Sequence, residues 1–153
     1  MCVRFSFSIG KRLAPGSGYV PARARLLAGV DPPSHTVLVV DDDPSIRFLC
    51  RLNLELDGWS VLEAATVPEA RDQLARADVV LLDVHLGAAS GVDLLEEIHV
   101  DYPRVRVAML TGSADSDALV HAGIDAVIPK PFTIEQLTKT VRGLAARRAN
   151  ASG

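Results

Sequence analysis

Two kinds of apolar pattern alternate along this chain. Val37-Leu38-Val39-Val40 and Val79-Val80-Leu81-Leu82 are unbroken apolar runs, the pattern of strands covered on both faces. Between such runs the spacing turns helical. Ile46, Leu49, Cys50 and Leu54 stand at i, i+3, i+4 and i+8, which predicts a helix from Pro44 to about Asp57. Asp43 is its expected N-cap, Pro44 fits the first helical position where a missing N–H costs nothing, and Gly58 ends it. Strands are expected over 36–41, 59–63, 78–83, 105–110 and about 126–129. Thr66 and Glu69 form a capping box opening a helix through Arg76, and Thr133 and Gln136 form a second, opening a helix to about Arg148. A loop over 85–90 precedes a helix from Gly91 to about Val100, and a short helix is expected around 115–122. Strands and helices in strict alternation imply right-handed crossovers, hence an α/β, doubly wound parallel sheet.

The strand ends carry the chemistry. The first run finishes in Asp41-Asp42-Asp43 and the third in Asp83; Thr111 follows the fourth strand and Lys130 the fifth. Ligands of open parallel sheets bind beyond the C-terminal strand ends, so these polar groups are expected on one rim. Two carboxylates ~4 Å apart repel by about 4 kcal/mol at an effective dielectric of ~20. Such a cluster needs a partner of opposite charge, and a hard divalent cation is the natural one. Asp41 and Asp42 suit magnesium, which takes oxygen ligands and keeps several waters. Asp83 could be a third ligand, a nucleophile that forms an acyl phosphate, or both. In that second role the Lys130 ammonium would neutralise phosphoryl oxygens, Thr111 would donate a hydroxyl, and Gly112 would leave room.

Composition narrows the class. The chain has 153 residues with 23% charged, ordinary for one globular domain, and no apolar stretch long enough to span a bilayer. Of its two cysteines, Cys50 lies within a helical pattern and Cys2 near an end, which fits reduced thiols in a cytoplasmic protein. The net charge of −3 is uneven: residues 1–34 hold five basic residues against one acid (+4), and residues 35–153 hold 11 against 18 (−7). The first segment, rich in Pro and Gly and without periodicity, reads as a disordered basic leader, and 149–153 as a short tail.

Val39-Val40-Asp41-Asp42-Asp43-Pro44, Leu81-Leu82-Asp83, Met109-Leu110-Thr111-Gly112 and Lys130-Pro131-Phe132 resemble, in order, the receiver domain of two-component response regulators. The resemblance covers residues 36–147. It implies a flavodoxin-like (βα)5 sheet in order 2-1-3-4-5, with Asp83 as phosphoacceptor. Asp41, Asp42, Asp83 and the backbone carbonyl of His85 would hold Mg2+. Thr111 matches the switch hydroxyl and Lys130 the phosphate-contacting lysine, followed by a cis bond to Pro131. His85 and Ser113 match positions that tune acyl-phosphate lifetime. The chain departs from the pattern in lacking the usual proline in the 85–91 loop, in having only 18 residues between Thr111 and Lys130, and in placing Val127 where an aromatic switch residue is common.

The expected function is a stand-alone receiver. It accepts a phosphoryl group from a sensor histidine kinase or histidine phosphotransfer protein and signals to a downstream protein by contact. Only its own phosphorylation and dephosphorylation would be chemical steps, so it is not expected to be an enzyme. Five residues after the last predicted helix suggest no direct DNA binding; no membrane contact is expected, and homodimer formation stays open. Arg47 and Arg51 are candidate docking charges or plain surface charges. The alternative is a constitutive protein-binding module that kept the acids without switching. A small-molecule phosphotransferase would need a substrate cap, and every loop here is short.

Overall fold

The computed structural model describes residues 35–112, 119 and 123–151. The expected leader, the Ser113 position and most of the short 115–122 helix lie outside those residues. Five parallel strands form one sheet: β1 (Thr36–Val40), β2 (Ser60–Ala64), β3 (Val79–Asp83), β4 (Arg106–Thr111) and β5 (Ala126–Pro129). Their order is β2-β1-β3-β4-β5, the expected 2-1-3-4-5 arrangement. Pro129, which cannot donate to a ladder, lies on an edge strand where that is harmless.

Strand alternation divides the core in two. Val37, Val39, Val79, Leu81, Ala108, Leu110 and Ile128 pack on one side with Cys50 and Leu54 of α1 (Pro44–Leu56). Leu137, Val141 and Leu144 of α4 (Ile134–Ala151) complete that layer. Leu38, Val40, Val80, Leu82, Val107 and Met109 pack on the other side. There they meet Ala70 of α2 (Val67–Arg71) and Leu94, Leu95 and Ile98 of α3 (Gly91–Asp101). The residues of β1 and β3 before Asp83 are wholly buried apart from Thr36, which explains why neither strand shows polar alternation.

The caps form as the residue types require. The Asp43 carboxylate accepts from Ser45 N at 2.8 Å, and Gly58 turns the chain out of α1 at φ +94°. Gln136 N donates to Thr133 Oγ1 at 3.1 Å while Thr133 N donates to Gln136 Oε1 at 2.8 Å, a reciprocal capping box.

Four local differences are seen. The helix expected through Arg76 stops at Arg71 and resumes as a 3₁₀ turn, Leu74–Arg76. Backbone bonds tighten there to i→i−3, and the Gln73 amide anchors the break on the Glu63 carbonyl at 2.7 Å. The 85–90 loop is a small hairpin pairing His85–Leu86 with Ala89–Ser90, its turn opened by Gly87 at φ +63°. The last helix continues past Arg148 to Ala151, and Arg148 binds Asp78 at 3.0 Å. Leu49, predicted on the inner face of α1, is 36% exposed; Ile46, Cys50 and Leu54 carry that face.

Candidate functional site

Alternation in the strands builds the site. Val37 and Val39 lead to Asp41, Val79 and Leu81 to Asp83, and Ile128 to Lys130, all on the face covered by α1 and α4. Beyond the end of β1, Asp41 N still bonds Ala64 O, so the ladder holds the residue that follows the strand. Asp41 is fully buried, Asp83 nearly so, and Asp42 exposed. Carboxylate oxygens of these three residues lie within 4.8 Å of one another.

Lys130 closes the cluster. Its Nζ lies 3.0 Å from Asp41 Oδ2 and 3.4 Å from Asp83 Oδ1. Lys130 N extends the sheet ladder to Thr111 O at 2.7 Å, and the Lys130–Pro131 peptide is cis, as the resemblance implied. The other Asp41 oxygen accepts from Asp43 N at 2.9 Å, so the helix cap and the buried acid are tied together. Asp83 Oδ1 also accepts from His85 N at 3.3 Å.

Electrostatics follow from this geometry. Burial raises the Asp83 carboxyl above its usual range, Asp41 adds to the rise, and Lys130 and the His85 N–H oppose it. Burial pulls Lys130 down, but its hydrogen bond to Asp41 and the charges of Asp41 and Asp83 outweigh that and leave it raised. At neutral pH the site therefore holds one ammonium among three acids. Mg2+ takes oxygen ligands and keeps several waters, and the three carboxylates offer oxygens within 4.8 Å of one another. The donor set, all oxygen with one exposed carboxylate open to solvent, fits that ion.

Thr111 ends β4 one residue beyond Leu110, the register partner of Asp83, and is buried. By alternation it stands with Met109, and its hydroxyl donates to the Gly112 carbonyl at 2.8 Å. The His85 side chain is exposed, and Val127 is 44% exposed on the edge strand.

Several residues shape the site in ways that their place in the sequence did not show. Gly91 begins α3 directly against Asp83: a Cβ there would lie 2.0 Å from the Asp83 carbonyl oxygen. Arg47 is not a free docking charge, because its Nη1 donates to the Asp41 carbonyl at 2.7 Å and its Nε lies 3.6 Å from Glu63. Arg51 pairs with the same Glu63 at 2.8 Å and lies over the Phe48 ring at 5.5 Å. The outward face of α1 is instead apolar, with Phe48 55%, Leu52 43% and Leu56 79% exposed.

Comparison with known proteins agrees with this fold. The response regulator receiver domain family matches residues 37–142. A Mycobacterium tuberculosis protein named "Probable transcriptional regulatory protein TcrX" is 37% identical over 119 residues, 73% of this chain and 50% of the relative. "Transcriptional regulatory protein KdpE" of the same species is 32% identical over 120 residues, 76% of this chain and 53% of the relative. A response regulator receiver domain from Clostridium thermocellum superposes with a TM-score of 0.71 at 30% identity, covering 76% of this chain and 98% of that one. The chain thus spans about half the length of the curated relatives it matches.

One expectation is corrected by these relatives. The absence of direct DNA binding was inferred from the few residues after the last helix. Proteins named as transcriptional regulators share this domain over half their length, so the residue count carries no such conclusion. Among the described residues no helix is long and apolar enough to cross a membrane.

Proposed function

The chain belongs to the response regulator receiver domain family, and from that footing we propose that it is a phosphorylation-controlled signalling module of a cytoplasmic phosphorelay. Its donor would be the phosphohistidine of a sensor histidine kinase or of a histidine phosphotransfer protein. A carboxylate oxygen of Asp83 attacks phosphorus, the phosphorus–nitrogen bond breaks, and the donor imidazole departs with its electron pair. Hydrolysis of the resulting acyl phosphate returns Asp83 and releases inorganic phosphate. These self-directed steps are the only chemistry assigned to the chain.

The observation that carries this reading is the Lys130 ammonium set between Asp41 and Asp83, at 3.0 and 3.4 Å, beside the exposed Asp42. Lys130 can follow the developing charge from carboxylate to phosphoryl oxygen without leaving its place. Asp41, Asp42, Asp83 and the His85 carbonyl are the residues that would hold Mg2+, which when bound supplies positive charge against the phosphoryl oxygens. Thr111 is assigned the hydroxyl that meets the phosphoryl group once it is in place. The apolar residues Phe48 and Leu52, exposed on the helix that starts at Pro44, supply a protein-contact surface beside the rim.

A second reading is favoured by Val127. A half-exposed valine cannot rotate inward as an aromatic ring does, which suits a constitutive protein-binding receiver that does not switch on phosphorylation. Acetyl phosphate with Mg2+, followed by intact mass and amide hydrogen exchange, separates the two. A phosphoryl adduct with altered exchange at β4, β5 and α4 supports the switching module. An adduct with unchanged exchange supports the constitutive one, and no adduct removes the phosphoacceptor assignment.

A further inference from the structure

Arg47 is half-buried, with 19% of its side chain exposed, and it leaves the first turns of α1 to reach back toward the end of β1. Its Nη1 donates 2.7 Å to the carbonyl of Asp41. That oxygen belongs to the peptide joining Asp41 to Asp42. A peptide is planar, so a short bond at its oxygen restrains how the whole unit can turn, and with it the direction in which the Asp42 Cα leaves. The Asp41 carboxylate is held separately, by Asp43 N at 2.9 Å and Lys130 Nζ at 3.0 Å. Asp42 is exposed, and the shared peptide is what relates its position to the other two acids.

Glu63 makes the arrangement electrostatically tolerable. It sits on β2 opposite Val39 of β1, 3.6 Å from Arg47 Nε and 2.8 Å from Arg51 Nε. A bare guanidinium beside three carboxylates would compete with a divalent cation for them. Paired with Glu63, it keeps the geometry of a planar donor while much of its charge is offset.

We propose that Arg47 is a positioning residue for the divalent-cation site, acting through the Asp41–Asp42 peptide and held in place by Glu63. This rests on the reading of Asp41, Asp42 and Asp83 as the cation ligands and adds a residue that touches neither cation nor phosphoryl group. Arg47 meets the Asp41 carbonyl and Glu63 from two separate nitrogens, Nη1 and Nε, whereas a lysine at position 47 would have to meet both from one nitrogen.

The test is a Mg2+ titration of the full chain without phosphodonor, by calorimetry, beside denaturant midpoints of the metal-free proteins. Arg47→Ala is expected to raise the half-saturating Mg2+ about tenfold, as loss of an outer-shell partner does, and Arg47→Lys by about threefold. Glu63→Gln, which strips the offsetting charge, should also weaken binding, whereas Arg104→Ala should match wild type. The matching readout is acetyl phosphate labelling: Arg47→Ala should need more Mg2+ yet approach the wild-type rate at saturation. Unchanged Mg2+ affinity with a lowered denaturation midpoint would reduce Arg47 to a structural residue. Tighter Mg2+ binding in Arg47→Ala would mean that the guanidinium only repels the ion, and also overturns the proposal. If wild type itself binds no Mg2+, the ligand assignment fails first, and that outcome is distinct from either.

Discussion

Replacing Gly91 with alanine adds one methyl group at the tightest backbone contact beside the site. The new Cβ would stand 2.0 Å from the Asp83 carbonyl oxygen, 3.0 Å from its carbon and 3.2 Å from Val84 Cα. Ordinary contact begins at 3.4 Å, so about 1.4 Å of separation must be found. All three neighbours are backbone, and Gly91 N is itself bonded to Val84 O at 2.8 Å, so no flexible side chain can yield. Forcing such a contact costs about 1–3 kcal/mol, more than alanine gains over glycine in a helix. The displacement falls on Asp83, where an error of ~1 Å in the attacking group can slow a reaction ~100-fold. Gly143, inside α4 with nothing within 4 Å of its would-be Cβ, is the matched control. There the same substitution should stabilise by roughly 0.5–1 kcal/mol and leave labelling unchanged. Urea unfolding and the rate of acetyl phosphate labelling measure both effects. A Gly91→Ala protein as stable and as reactive as wild type would refute the steric argument.

Asp83→Asn should raise stability at neutral pH by about 1 kcal/mol, because it removes a buried charge beside Asp41 while Lys130 keeps its bond to Asp41. The sign follows from linkage: a carboxyl raised in the folded state is costly to ionise there. Wild type therefore gains on the variant as pH falls through the raised value, and the gap closes toward the ordinary value of 3.8. Urea midpoints at several pH values without Mg2+ measure this, and a destabilised Asp83→Asn at pH 7 contradicts it. Cys50 is buried, with its thiol pushed up to about 12, chiefly by burial and then by Asp41. In a Cys2→Ser background it should react with a thiol reagent at pH 8 only as fast as the fold opens, and rapidly in denaturant. Fast native labelling would show that the layer between α1 and the sheet is open.

The parallel sheet was legible because β1 and β3 are apolar without interruption, whereas the strand order came only with the family resemblance. The acids were legible for a related reason. A polar residue two positions beyond a buried aliphatic residue continues the same face, and Asp41, Asp83 and Lys130 all obey that rule. What stayed hidden depended on geometry finer than periodicity. A hairpin of two-residue strands has no period to detect, and Gly87 alone does not announce it. Gly91 looked like a plain helix start, since its constraint comes from a backbone distant by only a turn of chain. Leu49 fits the helical period yet faces outward, because the inner face of α1 is narrow enough for Ile46, Cys50 and Leu54 alone. Arg47 reads as a docking or plain surface charge, because nothing in its spacing shows that its side chain folds back six residues to the Asp41 carbonyl. The partner inference failed for another reason: residues counted after a helix do not say what a domain is joined to.

Phosphoryl transfer to one named carboxylate can be read directly. The protein is incubated with acetyl phosphate and Mg2+, reduced with borohydride, and digested for peptide mass mapping, which converts an aspartyl phosphate to homoserine at its own position. Homoserine at position 83 in wild type, absent from Asp83→Asn and sharply reduced in Lys130→Ala, is the expected result. Homoserine at Asp41 or Asp42 in place of Asp83, or at no position, would contradict the account.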